Sequence, residues 1–260
     1  MNTLAAKLVP PNYLYPRGLE RTVVIDGIHL KLDISDTVGH SSYFAIDEPA
    51  QLVMYNYVKP GMNIIDVGAN IGATTLSLAK KVGLSGRIFS FEPGPYNHKL
   101  AHENISLNNF SNIKLINQGL GNEKTTAFLY NVNANNRGMQ RLLKNSRENG
   151  SYEKSSVQID TLDNSVTTFG IPSPSFIKID VEGYEYNVLL GGKETILKYK
   201  PALFIELDDN NLREQGSNAK KLIQLIKQFE YKIINAATGS IVDENTNFTN
   251  CHFDILCTPA

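Results

Sequence analysis

The sequence predicts an α/β fold in which a mainly parallel β-sheet is covered by helices on both faces. From residue 63 onward, short apolar runs alternate with segments of helical periodicity, which is the pattern of βαβ units. The run over residues 63–67 is almost continuously apolar, as expected of a parallel strand buried on both faces. With 260 residues, 42% of them hydrophobic, the chain can build one such core and a small appendage.

The segment before the first core strand predicts a small N-terminal cap. Residues 22–36 alternate in polarity and predict a hairpin that turns at Asp26 and Gly27, and residues 48–58 predict a helix. We therefore expect a cap or lid over residues 1–58 and a main domain over residues 59–260.

In the main domain, seven strands and four helices are predicted in order. The strands are expected at 64–67, 87–91, 113–117, 176–180 and 202–207, with a closing hairpin formed by 231–235 and 252–258. The helices are expected at 73–81, 95–107, 184–190 and 218–229. An insertion near 125–162 has strand-like ends, 126–130 and 156–159, around a polar stretch, 131–155, that predicts a loop or flap.

A glycine-containing turn between the first core strand and its helix indicates a site for an adenosine cofactor. Gly68, Ala69, Asn70 and Gly72 form this turn, in which glycine lets the backbone bend sharply against the helix N-terminus. Glu92 follows the next strand, where the diol of a ribose requires an acceptor.

The same turn argues against a dinucleotide. The pyrophosphate fingerprint requires glycine at the positions of Asn70 and Ala73, and no P-loop lysine follows. Asp66, on the strand before the turn, suits a ligand with an ammonium group better than one with phosphates. S-adenosylmethionine has an ammonium group, a sulfonium and a ribose diol, and it has no phosphate. The residues therefore predict S-adenosylmethionine as the cofactor.

Acidic side chains recur where the predicted strands end, and in parallel sheets ligands bind at that edge. A buried strand seldom ends in a carboxylate for packing reasons alone, because the acid must be solvated, paired or used. The acids are Asp66, Glu92, Asp180 with Glu182, and Glu206.

Three side chains near the fourth core strand are the candidates for chemistry. Period-two alternation directs Lys178, Asp180 and Glu182 to one side, where they could bind substrate hydroxyls and accept a proton. A simple ion pair between Lys178 and Asp180 explains the same pattern. His40 is an alternative proton acceptor, and a divalent cation held by Asp180, Glu182 and Glu206 is a further possibility.

These segments together resemble the FkbM family of S-adenosylmethionine-dependent methyltransferases, mostly O-methyltransferases. The resemblance extends over roughly residues 59–207. The residues that carry it are 59–61, 65–72, 91–95, Asn104, Asn108, 119–121, 161–163, 177–185, 189–192 and 201–206.

The resemblance implies a Rossmann-like class I methyltransferase fold with a mostly parallel seven-stranded sheet and an antiparallel C-terminal strand. It implies a saccharide or glycosylated natural product as the acceptor of the methyl group. It also implies roles for individual residues. Asp66, Gly68 and Gly72 would line the methionine part of the cofactor, and Ala69, Asn70 and Pro93 would also bind the cofactor. Glu92 would bind the ribose, and Gly119 and Leu120 would pack near adenine. Asp180 would lie near the transferred methyl group, and Glu182 would lie on the substrate side.

Composition narrows the class of protein further. The formal net charge is −1, and no run of lysine or arginine exceeds two residues, so a nucleic-acid partner is disfavoured. No apolar stretch reaches 18 residues and no signal peptide is recognised, so we expect a cytoplasmic protein without a membrane span. Cys251 and Cys257 would lie about 20 Å apart on an extended strand, too far apart for a disulfide.

Three alternatives stay open at this point. An NAD-dependent oxidoreductase shares the fold, although the missing glycines weaken it. A non-catalytic cofactor-binding domain would bind the cofactor without transferring a methyl group. N- or C-methylation is also compatible, because acids at strand ends do not identify the accepting atom.

Overall fold

The computed structural model describes residues 9–44, 49–131, 140–143 and 154–260. Within these ranges the strands form three sheets: an N-terminal hairpin, a central seven-stranded sheet and a four-stranded sheet. The strands are β1 (Glu20–Ile25), β2 (Ile28–Asp33), β3 (Asn63–Val67), β4 (Arg87–Phe91), β5 (Ile113–Ile116), β6 (Gly119–Gly121), β7 (Thr125–Asn131), β8 (Gln140–Leu143), β9 (Lys154–Thr161), β10 (Phe176–Ile179), β11 (Ala202–Asp208), β12 (Tyr231–Asn235) and β13 (His252–Pro259). The α-helices are α1 (Thr37–Tyr43), α2 (Pro49–Tyr57), α3 (Ala73–Val82), α4 (Pro95–Ser106), α5 (Leu162–Thr168), α6 (Glu185–Leu190), α7 (Lys193–Tyr199), α8 (Asp209–Glu214) and α9 (Ala219–Gln228), and a 3₁₀ turn covers Asn12–Leu14.

The central sheet has the strand order β12-β13-β11-β10-β3-β4-β5. β5, β4, β3, β10 and β11 are parallel, whereas β13 lies between β11 and β12 and is antiparallel to both. The predicted parallel sheet and its antiparallel C-terminal strand are therefore confirmed. The strand order reverses at β3, between β4 and β10, and the carboxyl ends of strands at such a switch point form a natural ligand crevice.

Both faces of β3 are buried, which explains its apolar sequence. Ile65 and Val67 belong to one hydrophobic cluster, and Ile64 belongs to the cluster on the opposite face. All three side chains are at most 1% exposed. Burial on both faces requires helices on both sides of the sheet, as predicted.

The region after β5 differs from the prediction. The strand expected over 113–117 ends at Ile116, and Gly119–Gly121 forms β6, which pairs in parallel with β9 of the four-stranded sheet. A β-carbon on Gly119 would lie 2.5 Å from Cδ1 of Ile159, so any larger residue there would displace the Ile159 side chain, and glycine lets the two strands approach without that shift.

The insertion near 125–162 has strands at both ends, as predicted. β7 and β9 cover them and pair antiparallel. The polar stretch predicted as a flap, 131–155, lies largely outside the described residues. In the part that is described, Gln140–Leu143 pairs with β7 as β8.

The N-terminal hairpin forms as predicted and packs on the outside of α3 and α4. Ile28, Leu30 and Leu32 of β2 contact Leu76 and the loop residue Ile71 in one hydrophobic cluster. Hydrophobic burial thus fixes the hairpin next to the glycine turn.

The side chains of Asn104 in α4 and of Asn108, just after this helix, also hold β2 in place. Asn104 accepts from Lys31 N at 2.7 Å and donates to Ile71 O at 2.9 Å, and Asn108 exchanges two hydrogen bonds with the backbone of His29. These bonds satisfy the edge of β2, which would otherwise carry unpaired backbone groups.

Helices α1, α5, α7 and α8 were missed by the sequence analysis, and His40 lies in α1 rather than in a loop. Each of the four helices has only six or seven residues, too few to show a clear helical period. Three of them begin at side-chain caps, which are Asp36, Thr161 and Asp208.

Two further predictions concern the cysteines and the membrane. Cys251 and Cys257 are both buried and unbridged. Among the helices in the described ranges, none combines the length and hydropathy needed to cross a membrane.

Candidate functional site

A cavity of about 530 Å³ opens at the carboxyl ends of β3, β4 and β10, at the switch point of the central sheet. Two groups of residues line it. One comes from strand ends and the loops that follow them: Val67–Ile71, Phe91–Pro93, Gly119, Leu120, Lys178 and Asp180–Glu182. The other comes from the N-terminal segment and α3, and includes Asp26, Ser41, Ser42, Gln51, Tyr55, Thr74 and Ser77.

The glycine turn is held between β4 and β10. The backbone amides of Gly68 and Ala69 both donate to Phe91 O at 3.0 Å. Gly68 has a φ of 84°, and a β-carbon there would lie 1.9 Å from Asp180 O. Asn70 has a φ of 51°, a left-handed conformation that asparagine tolerates better than most residues. The turn therefore depends on both residue types.

The carboxylate of Glu92 is buried at the end of β4, with 5% of the residue exposed. Its Oε2 accepts from Asn70 N and its Oε1 accepts from Gly94 N, both at 2.8 Å. Burial raises the pKa of Glu92 to about 7, although these two hydrogen bonds and the charge of Lys178 act in the opposite direction. An ionised Glu92 can still accept further hydrogen bonds, because its two oxygens offer about four lone-pair sites.

The ammonium group of Lys178 connects three parts of the site. Its Nζ donates to Gly68 O at 2.9 Å and lies 3.1 Å from Asp180 Oδ2 and 3.6 Å from Asp66 Oδ1. Burial by itself lowers the pKa of Lys178, but the negative charges of Asp180 and Asp66 outweigh it, and the pKa is raised. Lys178 therefore remains protonated and cannot act as a proton acceptor at neutral pH.

Asp66 and Gly72 lie outside the cavity lining, although both were predicted to contact the cofactor. Asp66 is fully buried beneath the turn, where its Oδ2 accepts from Thr75 Oγ1 at 2.6 Å. Gly72 precedes α3 with a φ of 83°, and a β-carbon there would press on Ala101 of α4 at 3.3 Å. In this structure Asp66 interacts with Lys178, which lines the cavity, and does not line the cavity itself.

The loop after β10 presents two acids, and a third acid organises it. Glu182 has a φ of 53° and its Oε2 accepts from Asn211 Nδ2 at 3.1 Å. Glu185, which is 1% exposed, accepts from Val181 N at 3.0 Å and from Gly183 N at 3.1 Å through its Oε1. Glu185 thus fixes the turn that carries Glu182.

Glu206, a predicted metal ligand, lies outside the cavity lining. Burial, followed by the charges of Asp180, Glu185 and Glu182, raises the pKa of Glu206 well above its usual value. No group of three or more histidine, cysteine or acidic side chains suited to a metal ion occurs in the described part of the chain. The structure therefore gives no support for a metal bound by Asp180, Glu182 and Glu206.

Comparison with known families identifies the chain. The sequence profile of the "Methyltransferase FkbM domain" matches residues 66–233, well over half of the chain. The chain belongs to the FkbM methyltransferase family. The resemblance seen in the sequence is confirmed, and the family is S-adenosylmethionine-dependent.

Characterised relatives of this FkbM family member are distant. The 2-O-methyltransferase NoeI of Sinorhizobium fredii is 26% identical over 204 residues, which cover 72% of this chain and 81% of NoeI. The ribosomal protein L11 methyltransferase of Caldicellulosiruptor saccharolyticus is 32% identical over 105 residues, 39% of this chain and 31% of that protein.

Several solved methyltransferase structures are similar to this chain over most of its length, at low sequence identity. Methyltransferase FkbM from Methylobacillus flagellatus matches with a TM-score of 0.47 at 18% identity, over 85% of this chain and 52% of that chain. This chain therefore spans about half the length of that protein. An O-methyltransferase from Thermotoga maritima matches with a TM-score of 0.45 at 11% identity, over 95% and 79% of the two chains.

Of the remaining residues predicted for the site, all but His40 line the cavity. Those brought together around the cavity are Gly68, Ala69, Asn70, Glu92, Pro93, Gly119, Leu120, Lys178, Asp180 and Glu182. His40 is not among the lining residues. It is buried, its Nε2 lies 2.8 Å from Pro10 O, and its ring packs 4.8 Å from that of Phe44.

The sequence analysis missed the contribution of α2 to the cavity. Gln51 and Tyr55 of this helix line it, four residues apart, whereas Ala50, Met54 and Val58 face the core. The spacing of the core residues could have revealed the second face, because residues i and i+4 of a helix share a side.

Proposed function

We propose that this protein transfers the methyl group of S-adenosylmethionine to a hydroxyl group of a saccharide or of a glycosylated natural product. The observation that carries the proposal is the buried carboxylate of Glu92, which faces a cavity shared with Asp180 and Glu182. The family supports methyl transfer, and the relation to a 2-O-methyltransferase favours oxygen as the acceptor atom.

The residues present fit this cofactor. The Gly68–Asn70 backbone provides a tight approach, and Glu92 provides an acceptor for a ribose diol in a cavity of suitable chemistry. Gly119 and Leu120 offer a flat buried wall for an adenine ring. When bound, S-adenosylmethionine supplies an electrophilic methyl group.

At the carboxyl end of β10, Lys178, Asp180 and Glu182 would orient the acceptor and remove its proton. Both Asp180 and Glu182 line the cavity, and Asp180 is already paired with the ammonium group of Lys178 at 3.1 Å. We therefore assign the proton acceptor to Glu182 and an orienting role to Asp180. Alignment of the reacting atoms contributes several kcal/mol in such reactions, and a general base contributes about 10²–10⁴-fold in rate.

The segment 1–58, of which 9–44 and 49–58 are described, acts in this proposal as a cap that covers the acceptor. We also propose a cytoplasmic location, because two buried thiols without a disulfide suit a reducing compartment.

The cofactor part is tested by calorimetric titration with S-adenosylhomocysteine and, separately, with NAD⁺. We expect micromolar binding of S-adenosylhomocysteine alone, weakened at least tenfold by Glu92→Ala. Glu103→Ala, which removes a carboxylate from the surface of α4, is the matched control and should bind normally. Binding of NAD⁺ instead would favour an oxidoreductase, and binding without transfer to any acceptor would indicate a non-catalytic domain.

The transfer part is tested with radiolabelled S-adenosylmethionine and a panel of glycosides, with and without EDTA. We expect Glu182→Gln to lower kcat by about 100-fold or more while leaving the affinity for S-adenosylhomocysteine within about twofold. Normal turnover by Glu182→Gln would contradict its role as the proton acceptor and would favour Asp180 in that role. The same measurement on Asp180→Asn tests this alternative.

A further inference from the structure

We propose that α1, α2 and the start of α3 form a subsite for a polyhydroxylated ring without anionic groups, with Tyr55 and Gln51 as its binding residues. The inference rests on the proposed function and assigns the acceptor to one part of the cavity.

The side chains in this part of the cavity are mostly hydroxyls and one amide. Ser41 and Ser42 belong to α1, Gln51 and Tyr55 to α2, and the neighbouring Thr74 and Ser77 to α3. Hydroxyl groups both donate and accept, so they can match the hydroxyls of a sugar in either orientation.

Apolar groups lie beside these hydroxyls. Leu52 lines the cavity and is 51% exposed, although large apolar side chains are usually covered, and Val38 of α1 also lines it. The faces of a sugar ring carry C–H groups that pack on such surfaces, while its edges carry hydroxyls. A mixed lining of this kind suits a ring with both.

The charges around the cavity disfavour an anionic acceptor. Among the described lining residues, four are acids, namely Asp26, Glu92, Asp180 and Glu182, and one is a cation, Lys178. Lys178 is already paired with Asp66 and Asp180. Among the described residues, a carboxylate or phosphate on the acceptor would therefore meet excess negative charge and no cation other than the paired Lys178, at a high electrostatic cost.

Tyr55 joins this part of the cavity to the strand ends. Tyr55 is half-buried and lines the same cavity as Lys178 and Asp180. Burial raises the pKa of its hydroxyl, and the side chains of Ser77 and Thr74 act in the opposite direction. A ring held by Tyr55 would thus lie next to the residues proposed to orient and deprotonate its hydroxyl.

Saturation-transfer NMR on the intact protein with S-adenosylhomocysteine tests the subsite directly. The probes are methyl hexopyranosides, the corresponding uronates and hexose 6-phosphates. We expect saturation transfer to at least one neutral hexoside, with the anionic forms binding at least about tenfold more weakly.

Two pairs of variants distinguish the subsite from general effects. Tyr55→Phe should weaken the neutral hexoside at least fivefold with unchanged affinity for S-adenosylhomocysteine. Its control is Tyr57→Phe, on the same helix but packed against Phe176 in the core. Gln51→Lys should shift the preference toward the uronate, whereas Asn56→Lys, on the exposed face of α2, should not.

Several results would overturn the assignment. They are the absence of saturation transfer to every neutral hexoside, tighter binding of a uronate or a phosphate, and equal effects of Tyr55→Phe and Tyr57→Phe. Each leaves the proposed function intact as long as S-adenosylhomocysteine binds. Failure of S-adenosylhomocysteine to bind the wild-type protein would instead overturn both.

Discussion

The backbone amide of Asn70 donates to Oε2 of Glu92 at 2.8 Å. This bond links the turn after β3 to the end of β4, and Gly94 N occupies the other carboxylate oxygen. Asn70 reaches this position through a left-handed backbone conformation with a φ of 51°. The acceptor proposed to bind the ribose is therefore oriented by the protein's own backbone.

We expect the affinity for S-adenosylhomocysteine to fall as the pH drops below about 7. Burial raises the pKa of Glu92 to about 7, so the carboxylate becomes protonated over this range and loses an acceptor site for the diol. Above about pH 7 the affinity should level off. Calorimetry between about pH 5.5 and 8.5 measures the profile, and Glu92→Gln should flatten it. A wild-type profile that is flat, or that persists in the variant, would contradict the prediction.

Gly68→Ala should destabilise the protein strongly and abolish cofactor binding. The new β-carbon would lie 1.9 Å from Asp180 O, and the φ of 84° is unfavourable for alanine. Urea denaturation should show a loss of more than about 3 kcal/mol, the range of severe core disruption. Gly170→Ala is the control, because its φ is 62° and a β-carbon there meets no atom within 4 Å. Equal losses in the two variants would argue against the close contact.

Lys178→Met should lower the free energy of unfolding by about 3–5 kcal/mol, because it leaves the carboxylate of Asp66 buried without its cation. Adding Asp66→Asn removes that charge, so the double variant should recover a large part of the loss. Urea denaturation of the four proteins forms a double-mutant cycle. Additive effects of the two substitutions would show that the pair is not coupled.

Glu185→Gln should become increasingly stable relative to the wild type as the pH rises from about 4.5 to about 7. Burial raises the pKa of Glu185 from its usual 4.5 to about 7, so between these pH values the carboxyl ionises in the unfolded chain but stays protonated in the folded protein, and the wild-type protein loses stability. At about 1.4 kcal/mol per pH unit, the difference reaches an order of 3 kcal/mol. Denaturation of both proteins across this pH range measures it. A constant difference would mean that Glu185 titrates normally.

The local pattern of the sequence was sufficient for the framework of the fold. The turn at Gly68 directly follows the apolar run of β3, and Glu92 directly follows the next strand, β4, so their chemistry follows from strand burial and turn geometry. The parallel core strands and the antiparallel β13 confirmed the predicted sheet. Such features depend on short stretches of sequence, in which hydrophobic periodicity and turn residues can be recognised directly.

Contacts between distant segments were decided only by the tertiary structure. Lys178 meets Asp66 and Gly68 because β10 lies next to β3, although more than 100 residues separate them in the chain. This pairing withdraws Asp66 from the cavity and keeps Lys178 protonated. Likewise, α2 contributes Tyr55 and Gln51 to the cavity because its other face packs on the sheet. A sequence pattern shows which residues share a face, but the partner that a face meets depends on packing across the whole chain.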